Sequence, residues 1–307
     1  MLGMITAQSL TKTYGRGVTA VDDVSFIAAT GRVTGFLGPN GAGKSTTMRI
    51  MVGLTPATSG TATIEGHRFT DLPNPGAEVG VLLDASAQHA GRTGRETLTL
   101  AQRTMGVPRS RVQEMLDLVS LTPTEAGRRV RHYSLGMRQR LGIAAALLGQ
   151  PEALILDEPA NGLDPAGIRW MRDLLRDYAN RGATVLLSSH LLHEIEVIAD
   201  DLVVIGNGRI VARGSKADLL ESAGTIVRTT DLGALARALT AAGLTFSRSG
   251  GTGDSETLRV EAEPGAVGQL AHVVGAPLLE LRPADGAGLE DLFLELTADT
   301  QREGAAA

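Results

Sequence analysis

The chain has no cysteine among its 307 residues, which excludes disulfides, thiolate metal sites and a cysteine nucleophile. Lysine is almost as scarce. Lys12, Lys44 and Lys216 stand against 26 arginines, so a lysine inside a motif runs against the chain's own habit. Long apolar runs are also missing: the longest, residues 141–149, falls far short of the ~20 residues a membrane helix needs. Residues 1–10 lack the basic start and apolar core of a secretion signal. The expectation is a cytoplasmic location, with any membrane part supplied by another chain. A basic surplus is absent too. Residues 221–307 hold 6 basic and 13 acidic side chains, and the rest of the chain is near neutral, within a net charge of −5. That balance speaks against nucleic acid as a partner.

What is present is an ordinary globular composition, 43% hydrophobic and 21% charged, with room for one large domain and a small one. Residues 4–222 alternate strand-like and helix-like stretches, the pattern of an α/β domain. Apolar or alternating runs predict strands at 5–10, 24–29, 33–37, 153–157 and 184–188, with a mainly helical insert between the phosphate loop at 38–46 and Ala153. Residues 111–120 of that insert carry Val112, Met115, Leu116 and Val119 on one helical face. A boundary is expected at 222/223. Beyond it the order is strand (225–229), helix (232–242), strand (244–247), a Gly-rich hairpin (249–253), strand (256–261), helix (265–274) and strand (278–282). That β-α-β-β-α-β order is ferredoxin-like. A further helix is expected at 289–296 and a flexible tail at 299–307, so the small α+β domain spans 223–298.

The densest signal is Gly38, Pro39, Asn40, Gly41, Ala42, Gly43, Lys44, Ser45, Thr46. It fits G-x-x-x-x-G-K-[ST], lies after a strand-like run and opens a helix-like one at 47–54. Glycines let consecutive N–H groups turn inward, and the helix N-terminus adds positive potential, so the segment can wrap the phosphates of a nucleoside triphosphate. Lys44 would reach the β- and γ-phosphates and Ser45 would ligate Mg²⁺. Further on, an apolar strand ends in Asp157 and Glu158. Buried strands do not end in adjacent acids unless something cationic or catalytic uses them. Asp157 is placed to hold Mg²⁺ and Glu158 to poise the attacking water.

Ser134, Leu135, Gly136 and Met137 precede a helix 23 residues before Asp157, counted from Ser134. Here the chain resembles the ATP-binding-cassette family, whose signature segment reads roughly L-S-G-G-Q. Ser134 and Gly136 match; Tyr133, Leu135 and Met137 depart from it. The resemblance implies a P-loop ATPase fold with a helical subdomain, ATP and Mg²⁺ as ligands, and a head-to-tail homodimer. In such a dimer each ATP lies between one copy's Lys44 loop and the other's Ser134 and Gly136. It further identifies Asp164, in Asn161–Pro165, with the segment that crosses the dimer interface. His190 corresponds to the family's switch histidine at the γ-phosphate, and Tyr14 to the aromatic that stacks on adenine. Where relatives carry a glutamine contacting Mg²⁺ or its water, Asp84 holds the place by register, with Gln88 as the alternative. The acidic extension and its 289–294 ending look like the bacitracin and daunorubicin resistance branch. That implies an ATPase subunit, peripheral to the inner face of the membrane, energising a separate membrane permease for export of a drug, peptide antibiotic or lipid-like compound. Two other readings stay open: a soluble ABC ATPase of DNA repair or translation, and a regulatory ATP sensor without turnover.

Overall fold

The computed structural model describes residues 4–221, 224–249 and 257–283, with Leu289 and Phe293 besides. They fall into two compact units that divide at 215/216. In chain order the first contains β1 (Ile5–Tyr14), β2 (Val18–Ala28), β3 (Val33–Leu37), α1 (Lys44–Met51), β4 (Ser59–Ile64), α2 (Pro75–Glu78) and β5 (Val79–Leu82). Then come α3 (Gly94–Met105), α4 (Ser110–Leu118), α5 (Pro123–Ala126) and α6 (Leu135–Leu147). It closes with β6 (Ala153–Leu156), α7 (Pro165–Asn180), β7 (Thr184–Ser188), α8 (Leu192–Ile198), β8 (Asp201–Gly206) and β9 (Arg209–Ser215).

Two sheets are built from these strands. The central one has the order β5-β6-β7-β3-β8-β9, parallel through β8 and closed by antiparallel β9. Every residue of β3, β6 and β7 is buried, which is why these strands read as unbroken apolar runs rather than alternating ones. The second sheet is an antiparallel β2-β1-β4 ribbon. Ile5, Ala7 and Leu10 of β1 face inward, and Phe26 of β2 meets Phe36 of β3 with ring centroids 5.2 Å apart. One core thus joins the two sheets, with Met48, Ile50 and Met51 of α1 among its members.

The helical segment between β5 and β6 is set by local chemistry. Thr93 and Glu96 form a reciprocal capping box at the start of α3, which satisfies two of the N–H groups a helix start leaves free. The stripe expected in the insert is found on α4, where Val112, Met115 and Leu116 are buried. Strand β2 begins six residues before the expected strand because the Asp22-Asp23 pair, which reads as a break, lies inside it. Asp23 takes a positive φ of 52°, and register shifts in the β1–β2 ladder absorb the irregularity.

The second unit, with a first helix α9 (Lys216–Glu221), holds β10 (Thr225–Thr229), α10 (Leu232–Ala241), β11 (Phe246–Ser249), β12 (Thr257–Val260), α11 (Pro264–Val273) and β13 (Leu278–Pro283). Its sheet has the order β11-β12-β10-β13, antiparallel throughout. This is the ferredoxin-like arrangement. Val227, Leu235, Leu239, Leu258, Val260, Val267 and Ala271 form its core. The sequence boundary at 222/223 would leave α9 with the first unit, whereas the compact units place it with the second. The expected hairpin at 249–253 and the tail lie outside the described residues apart from Ser249. So does the final helix, except for buried Leu289 and half-buried Phe293.

Candidate active site

In a parallel sheet the C-terminal ends of all strands lie on one edge, where loops gather ligand-binding groups. The register makes that edge level here: Phe36 pairs with Ser188, Leu156 with Leu187 and Leu82 with Leu156. Residues just past β3, β5, β6 and β7 are therefore neighbours, although they come from positions 38, 84, 157 and 190.

Past β3 the chain turns tightly into α1. Gly43, the residue before the helix, has φ 107°, and a Cβ there would lie 2.5 Å from the Ala20 carbonyl; only glycine fits. Lys44 is buried, and its Nζ donates to the carbonyls of Gly38 at 2.6 Å and Pro39 at 3.2 Å. Burial lowers its pKa, while the charges of Glu158 and Asp157 oppose that shift without cancelling it. Asn40, Gly41 and Ser45 are exposed, Pro39 and Thr46 are half-buried, and Gly38 and Ala42 are buried. The loop is thus a cradle: Asn40, Gly41 and Ser45 face solvent while Lys44 folds inward.

Past β6, Asp157 donates its N–H to the Leu82 carbonyl at 2.7 Å, and its carboxylate accepts from the Ser188 hydroxyl. The same hydroxyl accepts from the Glu158 N–H at 3.0 Å. Glu158 has φ 51°, a left-handed conformation that costs a non-glycine residue ~1–3 kcal/mol and persists only where its surroundings impose it. Its carbonyl accepts from Asn161 N–H and from Gln139 Nε2, each at 3.1 Å. Its carboxylate lies 2.6 Å from His190 Nδ1 and also accepts from the His190 N–H at 3.2 Å. Half of the His190 side chain and a quarter of that of Glu158 remain open to solvent. Lys44, Asp157, Glu158 and His190 therefore stand on one edge of the sheet.

A second group lies around the start of α6. Ser134 is exposed and caps that helix by accepting from the Met137 N–H at 3.2 Å. Gly136 packs against Gly162: a Cβ on Gly136 would come within 2.7 Å of the Gly162 carbonyl, and one on Gly162 within 2.4 Å of Leu135 Cγ. Asp164 caps α7 through the Gly167 N–H at 2.9 Å and lies 4.0 Å from Arg140. Among the described residues no hydrogen bond joins Ser134 or Asp164 to the phosphate loop. Tyr14, at the end of β1, is exposed, with Lys12 Nζ 5.1 Å from its ring centroid. Asp84, past β5, is exposed and bends back to accept from Ser86 N–H at 2.7 Å and Ser86 Oγ at 2.6 Å. Gln88 instead turns into the helical segment, donating to the Arg138 carbonyl at 3.0 Å.

Residues 21–161 match the family described as ABC transporter. The ABC transporter ATP-binding protein YhcH of Bacillus subtilis, described as uncharacterized, is 36% identical over 307 residues, covering 99% of each chain. The chain belongs to the ABC transporter family. Other relatives are the bacitracin transport ATP-binding protein BcrA of Bacillus licheniformis, 41% identical over 69% of each chain, and the lantibiotic transport ATP-binding protein SrtF of Streptococcus pyogenes, 37% identical over 68% of this chain and 89% of that one. A solved ATP-binding subunit of an ABC transporter superposes with a TM-score of 0.65 at 29% identity, over 70% of this chain and 91% of the other. This ABC protein is thus an ATP-binding, ATP-hydrolysing chain. Among its described residues no helix is long and apolar enough to cross a membrane.

Two residues of this ABC site escaped the sequence reading. Ser188 ends an apolar strand and looks like its polar cap; its part depends on β6 and β7 being neighbours. Gln139 looks like any polar helix residue, and the available signal was that it shares a helical face with the apolar Ile143 and Ala146 of α6.

Proposed function

We propose that this chain is the ATP-hydrolysing subunit of an exporter, working as a head-to-tail homodimer beneath a separate membrane permease. The observation that carries it is the grouping of Lys44, Asp157, Glu158 and His190 on one sheet edge. In this reading the Gly38–Thr46 loop and α1 hold the phosphates by backbone N–H groups and by the Lys44 ammonium. Glu158 accepts the proton of the water that attacks the γ-phosphorus, and the bond to the bridging β–γ oxygen breaks as ADP leaves. His190 orients Glu158 and the γ-phosphate.

Magnesium fits the donor set. Among the described residues no group of three or more His, Asp or Glu could hold an ion alone. A hydroxyl and a carboxylate, Ser45 and Asp157, are what Mg²⁺ uses when substrate phosphates and water complete its shell. Bound there, it would neutralise charge on the β- and γ-phosphates.

Ser134, Gly136 and Asp164 would complete the partner's site, because within one chain they form a separate group. Tyr14 would stack on adenine through its exposed ring. The bacitracin and lantibiotic names of the relatives support export of a peptide antibiotic or a compound of similar character. Localisation at the inner face of the membrane would follow from docking on the permease.

The test is Glu158→Gln. ATP affinity should hold while turnover falls ~10²–10⁴-fold, and ATP should trap a dimer visible by size exclusion. Wild-type turnover in this variant would remove Glu158 from the mechanism.

A further inference from the structure

The backbone of Glu158 is fixed by three bonds from three places. Ser188 at the end of β7 receives its N–H. Asn161, three residues on, closes a local turn on its carbonyl. The third bond is Gln139 Nε2 to the same carbonyl at 3.1 Å, and among the described residues it alone comes from the helical segment. Gln139 lies on α6 and is 3% exposed. A buried amide N–H that leaves its acceptor has no water to turn to, so donor and acceptor move together or a full desolvation penalty is incurred. The start of the same helix also presses on the loop that follows Glu158, through the Gly136–Gly162 contact and the Leu135 side chain. A shift of α6 therefore reaches residue 158 twice: through a hydrogen bond and through packing.

We propose that Gln139 is a positioning residue for Glu158, holding its left-handed backbone so that the aim of the carboxylate depends on where α6 stands. The proposal rests on Glu158 being the base. The Gln139 amide reaches the backbone of Glu158 and not its carboxylate. It acts on catalysis by fixing the carbonyl of the base, and it makes that residue sensitive to any movement of the helical segment.

The test compares Gln139→Met, which keeps the volume and removes the donor, with Gln139→Asn, which keeps the donor and shortens its reach. Each is made alone and in the Glu158→Gln background. Steady-state hydrolysis, ATP affinity and thermal midpoint are measured. Expected is a fall in kcat of about 10- to 100-fold, the scale of a misplaced reacting group, with KM for ATP within about twofold. In the Glu158→Gln background Gln139→Met should remove no further activity, within about twofold. Wild-type kcat in folded Gln139→Met or Gln139→Asn overturns the proposal. Losses that multiply with Glu158→Gln overturn it as well, since Gln139 would then act elsewhere. A Glu158→Gln protein with full turnover would bring down the assignment of the base and this inference with it, and only that result strikes both.

Discussion

Lys44 is held in a conflict that a bound nucleotide would resolve. Its ammonium is buried, which lowers its pKa, and it is satisfied by two carbonyls of its own loop. Phosphate oxygens offer it a formal negative charge instead of two carbonyl dipoles, and charge-assisted bonds are roughly twice as strong as neutral ones. Lys44→Ala should therefore weaken ATP binding itself by ~10- to 100-fold, measured by calorimetry or a fluorescent analogue; unchanged affinity would count against the phosphate-loop role. Asp84 poses a different question. The Ser86 hydroxyl and N–H hold its carboxyl below the usual range, so it is charged at neutral pH and repels phosphate unless a metal lies between them. Asp84→Asn should then lower Mg²⁺-dependent hydrolysis several-fold and leave nucleotide affinity in EDTA unchanged. Asp84→Gln should recover part of the loss. Equal hydrolysis in all three proteins would make Asp84 a solvated loop acid that merely shapes the turn after β5.

At the scale of the elements, the edge of the central sheet opposite the site is pinned by Asp200. Its carboxylate accepts from Arg176 of α7 at 2.9 and 3.0 Å and from the Val33 N–H at the start of β3 at 2.8 Å. Burial works to raise its pKa, but the Arg176 and Val33 bonds, with Arg32 nearby, outweigh it and leave the pKa lowered. A depressed folded pKa contributes stability above the ordinary value, 3.8, that is lost as pH falls through the folded one. Asp200→Asn should cost ~2–3 kcal/mol at pH 7, read by urea unfolding. The gap from wild type should narrow below pH ~3.8, while ATP affinity stays, because the tie lies at the far ends of the strands. A constant gap down to pH 3 would mean that Asp200 acts by shape alone. The elements also show where sequence reading stops. β3, β6 and β7 were legible because burial on both faces makes apolar runs, and the acids after β6 stood out against them. Ser188 was not, since its two bonds exist only once β6 and β7 are paired. Nor was Gln139, since helical periodicity separates inside from outside but does not name a partner on another element. The extra length of β2 was hidden by Asp22 and Asp23, whose solvation resembles a loop until the β1 ladder is seen around them.

For the whole molecule, each of the two units has its own core, and the first contains every residue assigned here to the site. A chain cut after Ser215 should therefore fold and bind ATP with affinity within a few-fold of the full chain, by calorimetry, with dimerisation or coupling altered. Loss of ATP binding in a folded truncation would show that the second unit completes the site. The strand order carries another consequence, for how the chain is made. β3, which presents the phosphate loop, has as its neighbours β7 and β8, and these end only at Ser188 and Gly206. Synthesis runs at ~5–20 residues per second, so on the order of ten to thirty seconds separate the appearance of Leu37 from that of the second strand that flanks it. A nascent chain halted within the helical segment holds the whole Gly38–Thr46 loop and neither of the strands that grip it, and it should not retain ATP.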